Sequence, residues 1–222
     1  MFNNILNNFL NPGNLVQQMV FRVIPALCCI TFHELAHGYT AYKLGDRTAK
    51  DMGRLTLNPI KHIDIFGLLM MLFAYFGWAK PVPVNMMNFK KPKLGMAITS
   101  LAGPASNVLM SIVVFVLFGF LITPLQGSVA GDIILDMIYI TAMMGIALAV
   151  FNLLPIPPLD GSKILFSLLP DKFYYRILRY ERYGMIVLFG GLYLFRETLN
   201  EFISGISKAF SIIWIAAYAL VN

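Results

Sequence analysis

Residues 94–122 read LGMAITSLAGPASNVLMSIVVFVLFGFLI, without one Asp, Glu, Lys or Arg, and the uncharged run continues to Gly131. A helix that crosses a bilayer needs roughly 20 mostly apolar residues, so this stretch is long enough on its own. A second uncharged run extends from Met137 to Leu159. The rest of the 222-residue chain agrees, at 58% hydrophobic and 13% charged, against roughly 45–50% and about 25% in soluble domains. An ordinary soluble fold, a disordered chain and a disulfide scaffold are excluded together. The two cysteines, Cys28 and Cys29, are helix neighbours and are not expected to bridge. The fold class is an all-α polytopic membrane protein.

Outward from that stretch, apolar residues at helical spacing in 2–10 predict an interfacial helix, ended by Asn11-Pro12-Gly13. No removable signal peptide is read at the N-terminus. A helix is expected over 15–44, bent at Pro25. Arg54 to Leu57 reads as a short strand before Asn58-Pro59. Helices follow over 94–122 and 133–154, the latter stopped by Pro155-Ile156-Pro157-Pro158. Arg176, Arg179 and Arg182 fall at helical spacing among tyrosines, which fits a basic surface helix or a solvated loop equally. Residues 202–221 form a last candidate span.

Charge sets orientation. Regions 43–61, 80–93 and 163–182 carry 14 of the 17 basic residues, whereas 123–136 carries two acids and no base. The positive-inside rule makes the three basic regions cytoplasmic. With a net charge of +6 concentrated in loops between apolar runs, the partner is the anionic lipid surface and not nucleic acid. The apolar segment 63–79 then has cytoplasmic flanks on both sides. It is expected to be re-entrant or a hairpin, and non-helical backbone at that depth must be covered by protein or line a wet cavity.

His33-Glu34-Leu35-Ala36-His37 carries the chemistry. Positions i and i+4 share a helix face, so both imidazoles reach one metal. Imidazole suits Zn²⁺, and a catalytic zinc takes three protein ligands plus water. Glu34 stands beside the first ligand, where it can take a proton from that water. The bland alternative is a helix end in the headgroup region with Glu34 and His37 solvated. Ionisable groups at membrane depth are costly and are functional by default. For the third ligand His62 and Asp160 are the candidates. The charge distribution sets Asp160 level with the histidine pair, and a carboxylate there needs a partner; His62 lies in a polar loop, where a hydrogen-bonded, non-ligand role is commoner. Cys29 shares the face of His33 and reads as a packing residue. Gly103-Pro104 reads as a close contact or a bend.

The combination of His33-Glu34-Leu35-Ala36-His37 with 152–161, NLLPIPPLDG, resembles the site-2 protease family of intramembrane zinc metalloproteases. Residues 53–59, GRLTLNP, and 102–107, AGPASN, also match, and the resemblance covers roughly 20–170. It implies one Zn²⁺ per chain held by His33, His37 and Asp160, with Glu34 as catalytic acid/base and Asn152 and Asn107 as substrate-binding. Asparagine in a membrane helix also serves simply to hydrogen-bond a neighbouring helix. The implied architecture is a core of three transmembrane helices around the zinc site, a re-entrant or β-like segment, and peripheral helices. Its parts are an interfacial helix over 1–14, a catalytic core over 15–170, and amphipathic and transmembrane helices over 171–222. The implied function is hydrolysis of a peptide bond in or near a transmembrane segment of a membrane-protein substrate. The implied location is a bacterial-type cell membrane, with the site toward the cytoplasm. The alternative is a membrane metal transporter or a metal-binding scaffold without proteolysis. A transporter spreads polar groups along a path through the bilayer, whereas the ligand candidates here cluster at one depth.

Overall fold

The computed structural model describes residues 19–74, 77–174 and 196–220, with Gly184, Leu188, Gly190, Gly191 and Leu194 between them. The expected interfacial helix at 1–14 and the arginine series at 176–182 lie outside the described residues.

A π-helical turn, Met19–Val23, leads into α1, Ile24–Lys43, with Pro25 in the first turn of α1. Proline is tolerated there because that N–H has no helical partner anyway. Gly45 turns the chain at φ +112°, and the short helix α2, Thr48–Asp51, follows. Residues 54–57 do not form the expected strand. Thr56 N–H instead turns back to Arg54 O, and Thr56 O accepts from His62, so the segment folds on itself. A 3₁₀ turn, Pro59–His62, is capped by Asn58 Oδ1, which accepts from Ile60 N–H.

Segment 63–79 leaves and returns at one place. Ile63 and Ala79 form an antiparallel bridge, and Lys80 N–H donates to His62 O at 3.0 Å. Between them lies α3, Ile65–Ala74, started by Asp64 Oδ1 accepting from Gly67 N–H. A Cβ on Gly67 would stand 2.0 Å from Trp78 O, so the return strand approaches this closely only because Gly67 has no side chain.

α4 spans Pro92–Leu125 and α5 spans Val129–Asn152. α4 starts and ends beyond the predicted 94–122, because Pro92 suits a first turn and Pro124 falls in the last, where the carbonyl it frees is near the end. The connection shrinks to 126–128, with Gly127 at φ +92° and Ser128 Oγ accepting from Gly131 N–H. A 3₁₀ turn, Met86–Asn88, precedes α4, and α6, Asp160–Ser167, and α7, Arg196–Ala219, follow α5.

α4 and α5 are long and apolar enough to cross a membrane. α4 buries polar side chains as far along as Ser111 and turns an apolar stripe outward. Thr99, Ser100, Asn107 and Ser111 are buried, whereas Leu101, Leu109, Val113, Leu117 and Phe120 are exposed. In water that arrangement would be upside down; in lipid the exposed apolar stripe costs nothing and polar side chains turn inward. α1 and α5 pack against the inward side of α4. The apolar core joins Phe115, Ala142 and Ile146, with Ile206, Phe210 and Ile213 of α7 against them. A second layer joins Phe118, Ile122 and Leu135, and the Tyr139 ring sits 5.9 Å from Phe115 and 5.4 Å from Phe118.

Candidate metal centre

His33 and His37 lie one turn apart on the buried face of α1, their rings edge to face with centroids 4.5 Å apart. Asp160 is the first residue of α6, delivered there by the proline-rich break after α5. The three converge. His33 Nε2 and His37 Nε2 are 3.0 Å apart, and Asp160 Oδ2 lies 3.1 Å from each. All three residues are buried. They are the described residues whose side chains are grouped to hold a metal ion.

The donor chemistry fits a metal. His37 Nδ1 is 2.7 Å from Thr99 O. A carbonyl only accepts, so Nδ1 carries the proton and a neutral ring presents the Nε2 lone pair to the cluster. Three acceptor atoms in mutual contact, two nitrogens and a carboxylate oxygen, need a shared cation or shared protons. Ligands about 2.0–2.1 Å from a tetrahedral Zn²⁺ stand about 3.4 Å from one another, close to the edges of this triangle. One carboxylate and two imidazoles also form a common catalytic zinc set.

α4 supplies the opposite wall. A Cβ on Gly103 would lie 2.4 Å from His37 Nε2 and 2.7 Å from His33 Cε1, so the absence of a side chain there makes room for both imidazoles. Four residues on, Asn107 is fully buried with Nδ2 3.2 Å from His33 Nδ1.

His33, Glu34, His37 and Asp160 line a cavity of about 410 Å³ that also reaches Val82, Asn152 and Lys163. Glu34 Oε2 accepts from Val82 N–H at 2.7 Å, while Oε1 has no hydrogen bond among the described residues. Val82 belongs to a strap held at both ends. Arg54 Nη2 donates to Lys80 O at 2.8 Å, and Asn85 N–H donates to Asp46 Oδ2 at 2.7 Å. Pro81 and Pro83 have no N–H to offer, which leaves Val82 N–H for the carboxylate.

The structure separates the two third-ligand candidates. Asp160 is in the cluster. His62 is fully buried elsewhere, with Nε2 2.9 Å from Thr56 O. Cys29 is also outside it, its Sγ 3.5 Å from Thr141 O. Asn152 lines the cavity and its Nδ2 donates to Leu148 O at 2.9 Å; Asn107 is not among the cavity's lining residues. Thr99 and Val82 act through backbone atoms and left no sequence signal. The close approach at Gly103 was legible as Gly103-Pro104, without its target.

Comparison with known proteins points the same way. A model of Peptidase family M50 matches residues 119–195. The chain is 42% identical over 209 residues to the Bacillus subtilis (strain 168) protein named "Putative zinc metalloprotease YwhC", covering 88% of this chain and 93% of that one. It is 30% identical over 157 residues to the Mycolicibacterium smegmatis protein named "Putative zinc metalloprotease Rip2", covering 68% of this chain and 58% of that one. No solved structure matches. The motif pair on α1, the carboxylate that α6 brings to it, and a likeness that runs almost end to end with one relative place this chain in peptidase family M50, the site-2 protease family.

Proposed function

We propose that the chain hydrolyses a peptide bond within or beside a transmembrane segment of another membrane protein, using one zinc per chain. The observation that carries this reading is the buried His33–His37–Asp160 triangle sharing a cavity with Glu34. Zinc held there supplies Lewis acidity, polarising a carbonyl oxygen and bringing the pKa of water toward about 7. Glu34 takes the proton of the attacking water on Oε1 and returns it to the leaving amine nitrogen. Val82 N–H fixes the other oxygen of that carboxylate and so the plane in which it works. Thr99 O holds the tautomer of His37. Asn152, on the cavity wall, bonds the substrate backbone.

A substrate helix hides its carbonyls in i→i−4 bonds and must be unwound before attack. The extended strap at 81–84 and the proline-rich break at 155–158 offer non-helical backbone for an extended segment to lie along. In this reading α1, α4 and α5 cross the bilayer, and 63–79 enters and leaves from the cytoplasmic side. The paired ends at Ile63 and Ala79 support that path. The site opens toward the cytoplasm, where the basic loops meet anionic headgroups.

The test separates metal binding from chemistry. Protein purified in detergent and returned to lipid, with zinc at one equivalent, is expected to cleave a single-span test substrate. Glu34→Gln keeps about one zinc per chain and loses cleavage, because the water has no proton acceptor. Loss of zinc from Glu34→Gln, or cleavage by it at the parent rate, removes the role assigned to Glu34.

A further inference from the structure

Asn107 sits on the inward stripe of α4, fully buried, with its amide 3.2 Å from His33 Nδ1. The other ring nitrogen of His33, Nε2, belongs to the ligand triangle. A neutral imidazole that gives the Nε2 lone pair to a metal must carry its proton on Nδ1. That proton needs an acceptor, and Asn107 is the side chain within reach. Asn107 Nδ2 faces the ring, while Oδ1 is buried with no partner among the described residues. Nδ2 is a donor and cannot face Nδ1–H. The two ends of a primary amide have nearly the same shape, so a half-turn exchanges them within the same space and brings Oδ1 to Nδ1. One amide atom stays without a described partner in either orientation; the half-turn changes which atom His33 meets.

We infer that Asn107 is a positioning residue for the metal centre: its amide oxygen accepts the Nδ1–H of His33 and thereby fixes that imidazole with Nε2 toward the metal. The inference rests on the ligand set proposed above. It also gives the two histidines parallel treatment from one helix, since Thr99 O receives His37 Nδ1–H two turns earlier on α4. It departs from the expectation that Asn107 contacts substrate. Asn107 has no exposed surface and does not line the cavity that would receive a peptide. The partner of a metal-bound imidazole commonly sets affinity in this way.

The experiment compares zinc affinity of the full chain in detergent, by competition with a chromophoric chelator, for the parent, Asn107→Asp and Asn107→Ala. Aspartate keeps the size and the acceptor and removes the donor. It is expected to hold zinc within about threefold of the parent, or more tightly. Alanine removes the acceptor and is expected to weaken zinc binding by about 10–100-fold, with cleavage recovering in part when zinc is raised. Parent-like zinc affinity in Asn107→Ala overturns the inference. So does Asn107→Asp losing zinc as severely as Asn107→Ala, since the amide would then be needed as a donor. If the alanine variant does not fold, the aspartate variant decides alone: zinc affinity within about threefold of the parent, or tighter, supports the inference, and a loss of about tenfold or more overturns it. Asp160→Asn is measured alongside: if it binds zinc like the parent, the ligand set is wrong whatever the Asn107 variants do.

Discussion

Gly103→Ala pits two effects of known sign against each other. In an exposed helix the change is favourable by roughly 0.5–1 kcal/mol, because alanine loses less backbone freedom than glycine. At this position the new methyl carbon would lie 2.4 Å from His37 Nε2, 2.5 Å from His37 Cε1 and 2.7 Å from His33 Cε1, where ordinary contact begins at 3.4 Å. The ligand atom of His37 must therefore retreat by about 1 Å, or α1 and α4 must part. Metal sites hold their ligand distances to about ±0.2 Å, so either response takes His37 out of range. Overpacking of this kind costs about 1–3 kcal/mol, and a 100-fold loss of zinc affinity is about 2.7 kcal/mol. The expected result is zinc affinity reduced about 100-fold with helical content unchanged. The assay is chelator competition beside far-ultraviolet circular dichroism. Gly205→Ala on α7 is the control, since nothing lies within 4 Å of its new carbon; it should keep parent zinc affinity and raise the unfolding temperature slightly. A folded Gly103→Ala that binds zinc like the parent would refute the assignment of Gly103 as the wall behind the ligands.

Asp160→Asn is expected to lose zinc on dialysis against a weak chelator, because the charge that offsets Zn²⁺ is gone, while His62→Asn keeps it; metal analysis of the two proteins decides. Single cysteines replacing Lys61 and Lys90, in a background without Cys28 and Cys29, should be labelled by an impermeant reagent from the same side of the membrane, since 63–79 returns to its starting point. Labelling from opposite faces would make that segment an ordinary span. Burial pushes the Asp46 carboxyl up, but hydrogen bonds from Thr48, Asn88 and Asn85 outweigh it and hold the group below its ordinary value. A carboxylate lower in the folded state contributes above its unfolded pKa of about 3.9 and loses that contribution as pH falls through the folded value. Asp46→Asn should cost about 1–3 kcal/mol at pH 7, and in urea unfolding series the gap from the parent should narrow below about pH 4.

The three residues of the triangle were legible because two independent patterns met on them. His33 and His37 announce themselves by helical spacing. Asp160 was located by the 23 uncharged residues before it, which fix its depth relative to the histidines. His62 lies apart from that triangle because the chain at 54–62 folds back and gives its imidazole Thr56 O. The strand expected over Arg54 to Leu57 is absent for the same reason, since a four-residue stretch does not show whether a partner strand is present. The apolar runs marked α4 and α5 well but misjudged their ends by two to four residues: prolines in the first and last turns of α4 do not interrupt it, and the Ser128 cap starts α5 ahead of its apolar run. Backbone partners such as Val82 N–H and Thr99 O left no trace in composition or spacing, since every residue type carries an N–H or a C=O. The buried face of Asn107 was out of reach as well, because an inward polar residue reads the same whether it meets a helix, a ligand or a substrate.

Thr99, Gly103 and Asn107 stand at intervals of four on α4 and serve His37, both rings, and His33 in that order. The order reverses that of the histidines, so the two helices run antiparallel and their mutual register is fixed at three points. One residue inserted at 126–128 would only lengthen the loop between α4 and α5. One inserted between Thr99 and Asn107 would turn everything beyond it by about 100° and advance it by about 1.5 Å, leaving one imidazole with its partner and the other facing lipid. Gains and losses of single residues are therefore expected to accumulate at 126–128 among proteins that keep this centre, and to be barred from 99–107, where small and polar residues interrupt the apolar run of the helix.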